Sequence, residues 1–300
     1  MTAVRTDLAM ENLGTDSSFP GVDVHRWEES DIQLSEVVIR TEEAARQLGK
    51  PCGNYLTLEC RLLCEHDPDA RLAMANLLGE ELSRMLAPSD DAPVLVVGLG
   101  NRGVTPDSLG PATIDKTLVT RHLLSGDYAR SGLKSVCAIA PGVLGVTGVE
   151  TVEMVESLAH KLHPRAILCI DSLAARDSGR IGCTVQITNT GIQPGSGVGN
   201  HRKALTQDTL GVEVIAVGVP TVVYAATLAR DAFASLSGQE DESSLDALER
   251  ELLGQAIGEM IVTPREIDEI VKSAAGVIAS GINAALHPRL SSAEIAAMMD

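Results

Sequence analysis

Two hydrophobic rhythms alternate along the chain. Short apolar runs such as "PVLVVGLG" (93–100), "KSVCAIAPG" (134–142), "RAILCID" (165–171) and "VEVIAVGVP" (212–220) have the length and β-branched content of buried strands. Between and after them come longer stretches with apolar residues at helical spacing: "PDSLGPATIDKTLVTRHLL" (106–124), "GVETVEMVESLAHKLH" (148–163) and "TVVYAATLARDAFASL" (221–236). This alternation predicts an α/β fold, a doubly wound and mostly parallel sheet flanked by helices. Upstream, "DIQLSEVVIR" (31–40) and "NYLTLEC" (54–60) read as strands, and "DPDARLAMANLLGEELSRMLAPSDDAP" (67–93) as an amphipathic helix that stops near Pro88. "GCTVQIT" (182–188) reads as a further strand near an edge of the sheet. "TPREIDEIVKSAAGVIASGINAALH" (263–287) reads as a closing helix, with Thr263 as N-cap and Pro264 at its first position. Residues 1 to about 28 are polar and weakly periodic, which predicts an arm outside the core. The charged, Ser-rich stretch at about 237–260 predicts an exposed insertion ending in a helix.

Composition narrows the picture. Aromatic residues are only 2% of the 300-residue chain and hydrophobic residues are 44%, so the core must be aliphatic. The formal net charge of −17 disfavours contact with phosphate backbones and excludes nucleic acid as a direct partner. Such a surface favours encounter with a cationic protein or peptide, and also serves plain solubility. The six cysteines form no C-x-x-C pair; Cys60 and Cys64 have no second half to complete a zinc site. No cofactor or metal is expected, and free cysteines fit a reducing cytoplasm. The N-terminus lacks a signal-peptide apolar stretch and no long uncharged apolar run occurs, so no membrane span is expected.

In open parallel sheets ligands collect beyond the carboxyl ends of the strands. Two carboxylates stand there. Asp171 closes "ILCID", and a carboxylate at a buried strand end must be hydrogen-bonded, paired or functional. Its structural reading is a set of hydrogen bonds from "SLAAR", or a pair with Arg176. Asp107, in "VTPDSLG", also fits ordinary helix-start chemistry. Facing one another across one crevice, the two would split their pKa values and act as acid and base on a water that attacks a peptide carbonyl. Gly98, Gly100 and Gly103 match a dinucleotide-loop pattern, but no acidic residue ends the next strand, so a close-approach loop is the better reading. Asn101 is a candidate donor to a developing oxyanion. The Gly-rich loop "GIQPGSGVGNHRK" (191–203), carrying Gly195, Gly197, Gly199 and Asn200, is a candidate flap over the crevice or a plain surface connection.

Taken together, "VRTDLAMEN", "VVGLGNRGVTPDSLGP", "TRHL", "PGVLGVTGVET", "CIDSLAAR", "TGIQPGSGVGNHRK", "GVPTVV" and "VTPREID" resemble the spore germination proteases, in order and over nearly the whole chain. The resemblance implies an endopeptidase of spore-forming bacteria that degrades small acid-soluble spore proteins in the spore core. It implies a self-processing zymogen. The processing bond carries over to Asp7–Leu8, leaving residues 1–7 as propeptide and 8–300 as one catalytic domain. It implies that Asp107 and Asp171 form an atypical aspartic-type catalytic pair, that the fold is similar to that of hydrogenase maturation proteases, and that the protein is a homotetramer. The alternatives are a hydrogenase-maturation-type protease whose carboxylates hold a metal such as nickel, a nucleotide-binding module built on "GLGNRG", and a catalytically dead scaffold.

Overall fold

A computed structural model describes residues 6–13, 19–65, 67–86, 92–124, 133–195, 203–237, 244–245, 247, 251–252 and 258–299. Its strands are β1 (Val22–Glu29), β2 (Ile32–Ile39), β3 (Gly53–Glu59), β4 (Val94–Gly98), β5 (Val136–Ile139), β6 (Ala166–Ala175), β7 (Thr184–Thr188), β8 (Glu213–Tyr224) and β9 (Ile261–Val262). The helices are α1 (Glu42–Leu48), α2 (Pro68–Met85), α3 (Leu109–Ile114), α4 (Leu144–Thr147), α5 (Thr151–Leu162), α6 (Gln207–Leu210), α7 (Ala225–Ser237), α8 (Ile267–Leu286) and α9 (Ser292–Met299). One sheet runs in the order β1-β2-β3-β7-β8-β6-β4-β5, with β9 on the end of β8.

The sheet is α/β as expected, but mixed. Among the described residues only β5-β4, β4-β6 and β6-β8 pair in parallel. β1-β2, β2-β3, β3-β7, β7-β8 and β8-β9 are antiparallel. The expectation of a mostly parallel sheet fails because helices cross over only between the later strands. The first three strands join by a hairpin and by the short α1, and such connections return the chain antiparallel. The hairpin turn is Ser30-Asp31, both at positive φ (53° and 61°), the mirror-image turn that suits strand twist. β1 is an edge strand with an exposed, charged face, "HRWEE", so its sequence does not announce a core element. β7, expected near an edge, lies inside the sheet between β3 and β8, and all five of its residues are buried.

The parallel part is covered on both faces, as its uninterrupted apolar strands require. α2, α3 and α8 pack Met74, Leu78, Leu109 and Ile278 on Val96, Leu168 and Ile215. On the opposite face Val152 and Val155 of α5 pack on Val97, Ile167 and Cys169. Two boundaries shift. β8 continues through Tyr224, so α7 starts only at Ala225. α8 begins at Ile267, with Glu266 in the N-cap position; Thr263 Oγ1 instead donates to the Thr221 carbonyl at 2.8 Å.

The N-terminal segment is a core element, against expectation. Leu8 is fully buried with Leu173, Ala175, Ile181 and Val223. Ala9 and Leu13 join the cluster under α1. Glu11 fixes the segment: its carboxylate accepts the Arg176 N–H at 2.8 Å and the Asp177 N–H at 3.0 Å, takes the Thr6 hydroxyl, and lies 3.3 Å from the Arg180 guanidinium. Most of the stretch expected to be an exposed insertion, about 237–260, lies outside the described residues.

Candidate active site

Asp107 is held by the turn that follows β4. The chain leaves β4 through Leu99 and returns over itself, so the Asn101 N–H donates to both the carbonyl (2.9 Å) and the carboxylate (2.8 Å) of Asp107. Gly100 makes this possible: its φ is +108°, and a Cβ there would stand 2.0 Å from the Asp107 carbonyl oxygen. Gly98 acts one step further back. A Cβ on it would meet the Gly110 carbonyl at 2.4 Å, so Gly98 lets α3 close on the strand end and does not itself line the site. Asn101 serves through its backbone, while its side-chain Oδ1 accepts the Gly103 N–H at 2.9 Å. Thr221 Oγ1 donates to the Pro106 carbonyl at 2.7 Å and ties the turn to β8.

Asp171 sits in β6 where β4 has ended, and is 5% exposed. Its Oδ1 accepts the Ser172 N–H at 2.9 Å, the local hydrogen bond its structural reading required. Burial first, then the charges of Asp107 and Asp7, push its carboxyl well above the ordinary carboxylate range. Asp107 and Asp171, sixty-four positions apart in the chain, thus line one cavity of about 330 Å³, with Gly100, Thr221 and Gly195 at its walls. Gly197, Gly199 and Asn200, and with them the centre of the Gly-rich loop, lie outside the described residues.

Asp7 also lines that cavity. It runs along β6 beyond the end of β4: its N–H donates to the Ala174 carbonyl at 2.9 Å, and its Oδ2 accepts the Ala174 N–H at 2.9 Å. On the other side of Asp7 a second cavity, about 390 Å³, is lined by Lys50, Tyr55, Gln186 and Gly218. The Asp7 carbonyl accepts from Lys50 Nζ and from Gln186 Nε2, both at 3.0 Å. Gln186 Oε1 accepts the Ala9 N–H at 2.8 Å. Lys50 is half-buried; burial lowers its ammonium pKa, opposed by the carboxylates of Asp7 and Glu11. Neither Lys50 nor Gln186 was singled out from sequence. A polar Gln in the otherwise apolar and Thr-rich strand "TVQIT" was the available signal; Lys50, after the helix-ending Gly49, offered none.

Among the described residues no three His, Cys, Asp or Glu side chains are grouped to hold a metal ion, and no helix is long and apolar enough to cross a membrane.

An α/β protein with acidic groups beyond its strand ends, and a peptide of its own chain laid beside them, suits the class of peptide hydrolases. Comparison with known proteins narrows this class. A family model described as germination protease matches residues 3–239 and 229–299. The germination protease of Clostridium acetobutylicum is 42% identical over 98% of both chains. That of Clostridium perfringens strain ATCC 13124 is 39% identical over 97% of both, and that of Priestia megaterium 36% identical over 95% of this chain and 94% of the relative. The chain belongs to the germination protease family, and its role is that of a peptidase acting on protein.

Proposed function

We propose that this chain is an endopeptidase made as a zymogen, that it cuts its own Asp7–Leu8 bond, and that Asp107 and Asp171 do the cutting. The observation that carries this reading is that Asp7 lies in the cavity that Asp107 and Asp171 line. In the processed enzyme, small acid-soluble spore proteins take the place that the N-terminal segment holds here. The same reading extends to a homotetramer working in the spore core, and to the atypical aspartic type of peptidase.

The chemistry follows from the environments. Asp171, with its carboxyl pKa raised, carries the proton, and Asp107 is the base. Asp107 takes a proton from a water as the water oxygen bonds to the Asp7 carbonyl carbon. The tetrahedral intermediate then collapses, the C–N bond breaks, and Asp171 supplies the proton that the Leu8 nitrogen needs to leave as an amine. Rate should show two apparent pKa values that belong to the pair. The net charge of −17 supports a preference for free substrate over substrate bound to DNA.

The test is incubation of the full chain alone and with a small acid-soluble spore protein, comparing wild type with Asp107→Asn and Asp171→Asn. Mass spectrometry reads release of residues 1–7 and substrate cleavage. Undiminished cleavage by either variant sinks the mechanism. Equal cleavage of DNA-bound and free substrate sinks the role given to the acidic surface.

A further inference from the structure

Asp171, Gly218 and Gln186 fall in one transverse row of the sheet: Asp171 pairs with Gly218 in β8, and Gly218 pairs with Gln186 in β7. Residues in register on neighbouring strands share a face, so Asp171 and Gln186 point to the same side of the sheet. Their strands lie two spacings apart, roughly 10 Å. The residue between them has no side chain. The Asp7 backbone lies between the two cavities here, both of which it lines. Its N–H donates to the Ala174 carbonyl of β6, and its carbonyl oxygen accepts from Gln186 and Lys50.

We infer that Lys50 and Gln186 form the oxyanion cradle of this peptidase, polarising the carbonyl of the bond to be cut. The assignment rests on Asp7–Leu8 being the processing bond, the reading proposed above. Two donors converge on one carbonyl oxygen at 3.0 Å each. As the water oxygen bonds to the Asp7 carbon, the carbonyl π pair moves onto that oxygen, and the developing negative charge shortens both hydrogen bonds. When the C–N bond breaks, the pair returns to form the new carboxyl group, so the cradle is left unchanged. Gln186 does a second task. The Ala9 N–H can only donate and the Asp7 carbonyl can only accept, which fixes the orientation of the amide. The one side chain therefore spans the bond from the residue before it to the second residue after it, and sets the register of the peptide against Asp107 and Asp171. A peptide substrate needs only its backbone to occupy this cradle, so Lys50 and Gln186 would act on any sequence the side-chain pockets admit.

Removing one preorganised oxyanion donor lowers a hydrolytic rate about 10²- to 10³-fold. The experiment uses the full chain and follows its own cleavage by intact mass for wild type, Lys50→Met, Gln186→Met and Lys50→Arg. Docking of the N-terminal segment is read separately, by hydrogen exchange of the Asp7 amide in an Asp107→Asn background that stops cleavage. The expected result is cleavage slowed about 100-fold or more in Lys50→Met and in Gln186→Met, with the Asp7 amide as protected as in the parent, and at least about tenfold recovery in Lys50→Arg. Unchanged cleavage in either Met variant overturns the assignment. So does slow cleavage accompanied by loss of Asp7 protection, because the two residues would then only hold the segment in place. Each Met variant is decisive alone, so misfolding of one leaves the other to decide. Wild type that never cuts between Asp7 and Leu8 removes the underlying reading and this assignment with it; wild type that cuts while both Met variants keep its rate removes the assignment alone.

Discussion

The two halves of the sheet divide the work. The parallel half, β5-β4-β6-β8, is wrapped by helices on both faces; β4 stops short of β6 and β8, and past its end stand both acids, Asp107 in the turn after β4 and the buried Asp171 in β6. The antiparallel half, β1-β2-β3-β7, has a different part. It supplies Gln186, and the α1–β3 connection beside it supplies Lys50; together these grip the backbone of the N-terminal segment. In the proposed mechanism one half holds the proton chemistry and the other holds the peptide, and the site is their seam at β8. The parallel half can be placed by a general rule about strand ends. The antiparallel half follows no such rule, and its contribution depends on where one particular strand is inserted.

The sharpest way to break this division is to remove an acid. Asp107→Asn should lower self-cleavage about 10³-fold or more while leaving the melting temperature within a few degrees, since Asn keeps an acceptor for the Asn101 N–H. A wild-type rate in that variant, measured by release of residues 1–7, would mean the parallel half does not carry the chemistry. Next comes the roughly 10²- to 10³-fold loss expected on removing either donor of the peptide-holding half, Lys50 or Gln186. Leu8→Ala probes the grip itself. Leu8 is fully buried among Leu173, Ile181 and Val223, so truncation should cost about 2–5 kcal/mol in urea unfolding and loosen the segment. An unchanged unfolding midpoint would show that the segment is not part of the cooperative core.

Gly100→Ala should cost about 1–3 kcal/mol, because its backbone is left-handed and its Cβ would strike the Asp107 carbonyl; the accompanying rate loss would show that the turn positions the acid. The smallest effect expected is a gain. The Asp171 carboxyl has its folded pKa above the unfolded value, taken as 3.8, so the native state binds more protons than the unfolded chain. Stability from this group is whole below about pH 4 and falls as pH rises toward the folded pKa. Asp171→Asn should therefore melt higher than wild type at neutral pH, with the difference shrinking toward pH 4 in a series of thermal melts. A variant that melts lower at neutral pH would show that the acid is stabilised by its surroundings and not strained by them.

What the sequence alone determined is what neighbouring residues determine among themselves. Aliphatic runs fixed the buried strands, helical spacing placed α2, α5 and α8, and "ILCID" and "VTPDSLG" marked two acids at strand ends. Motif order pointed to the family. What the tertiary structure decided was every pairing between distant segments. β7 went to the middle of the sheet instead of its rim, β1 joined as an edge strand, and a segment that read as a loose arm was buried through Leu8 and Glu11. The role proposed for Gln186 arises only because β7 lies beside β8 and puts Gln186 in the same row as Asp171. Local pattern reports whether a residue is buried; it cannot report which strand lies alongside, because strand order is set by long-range packing whose partners are far apart in the chain.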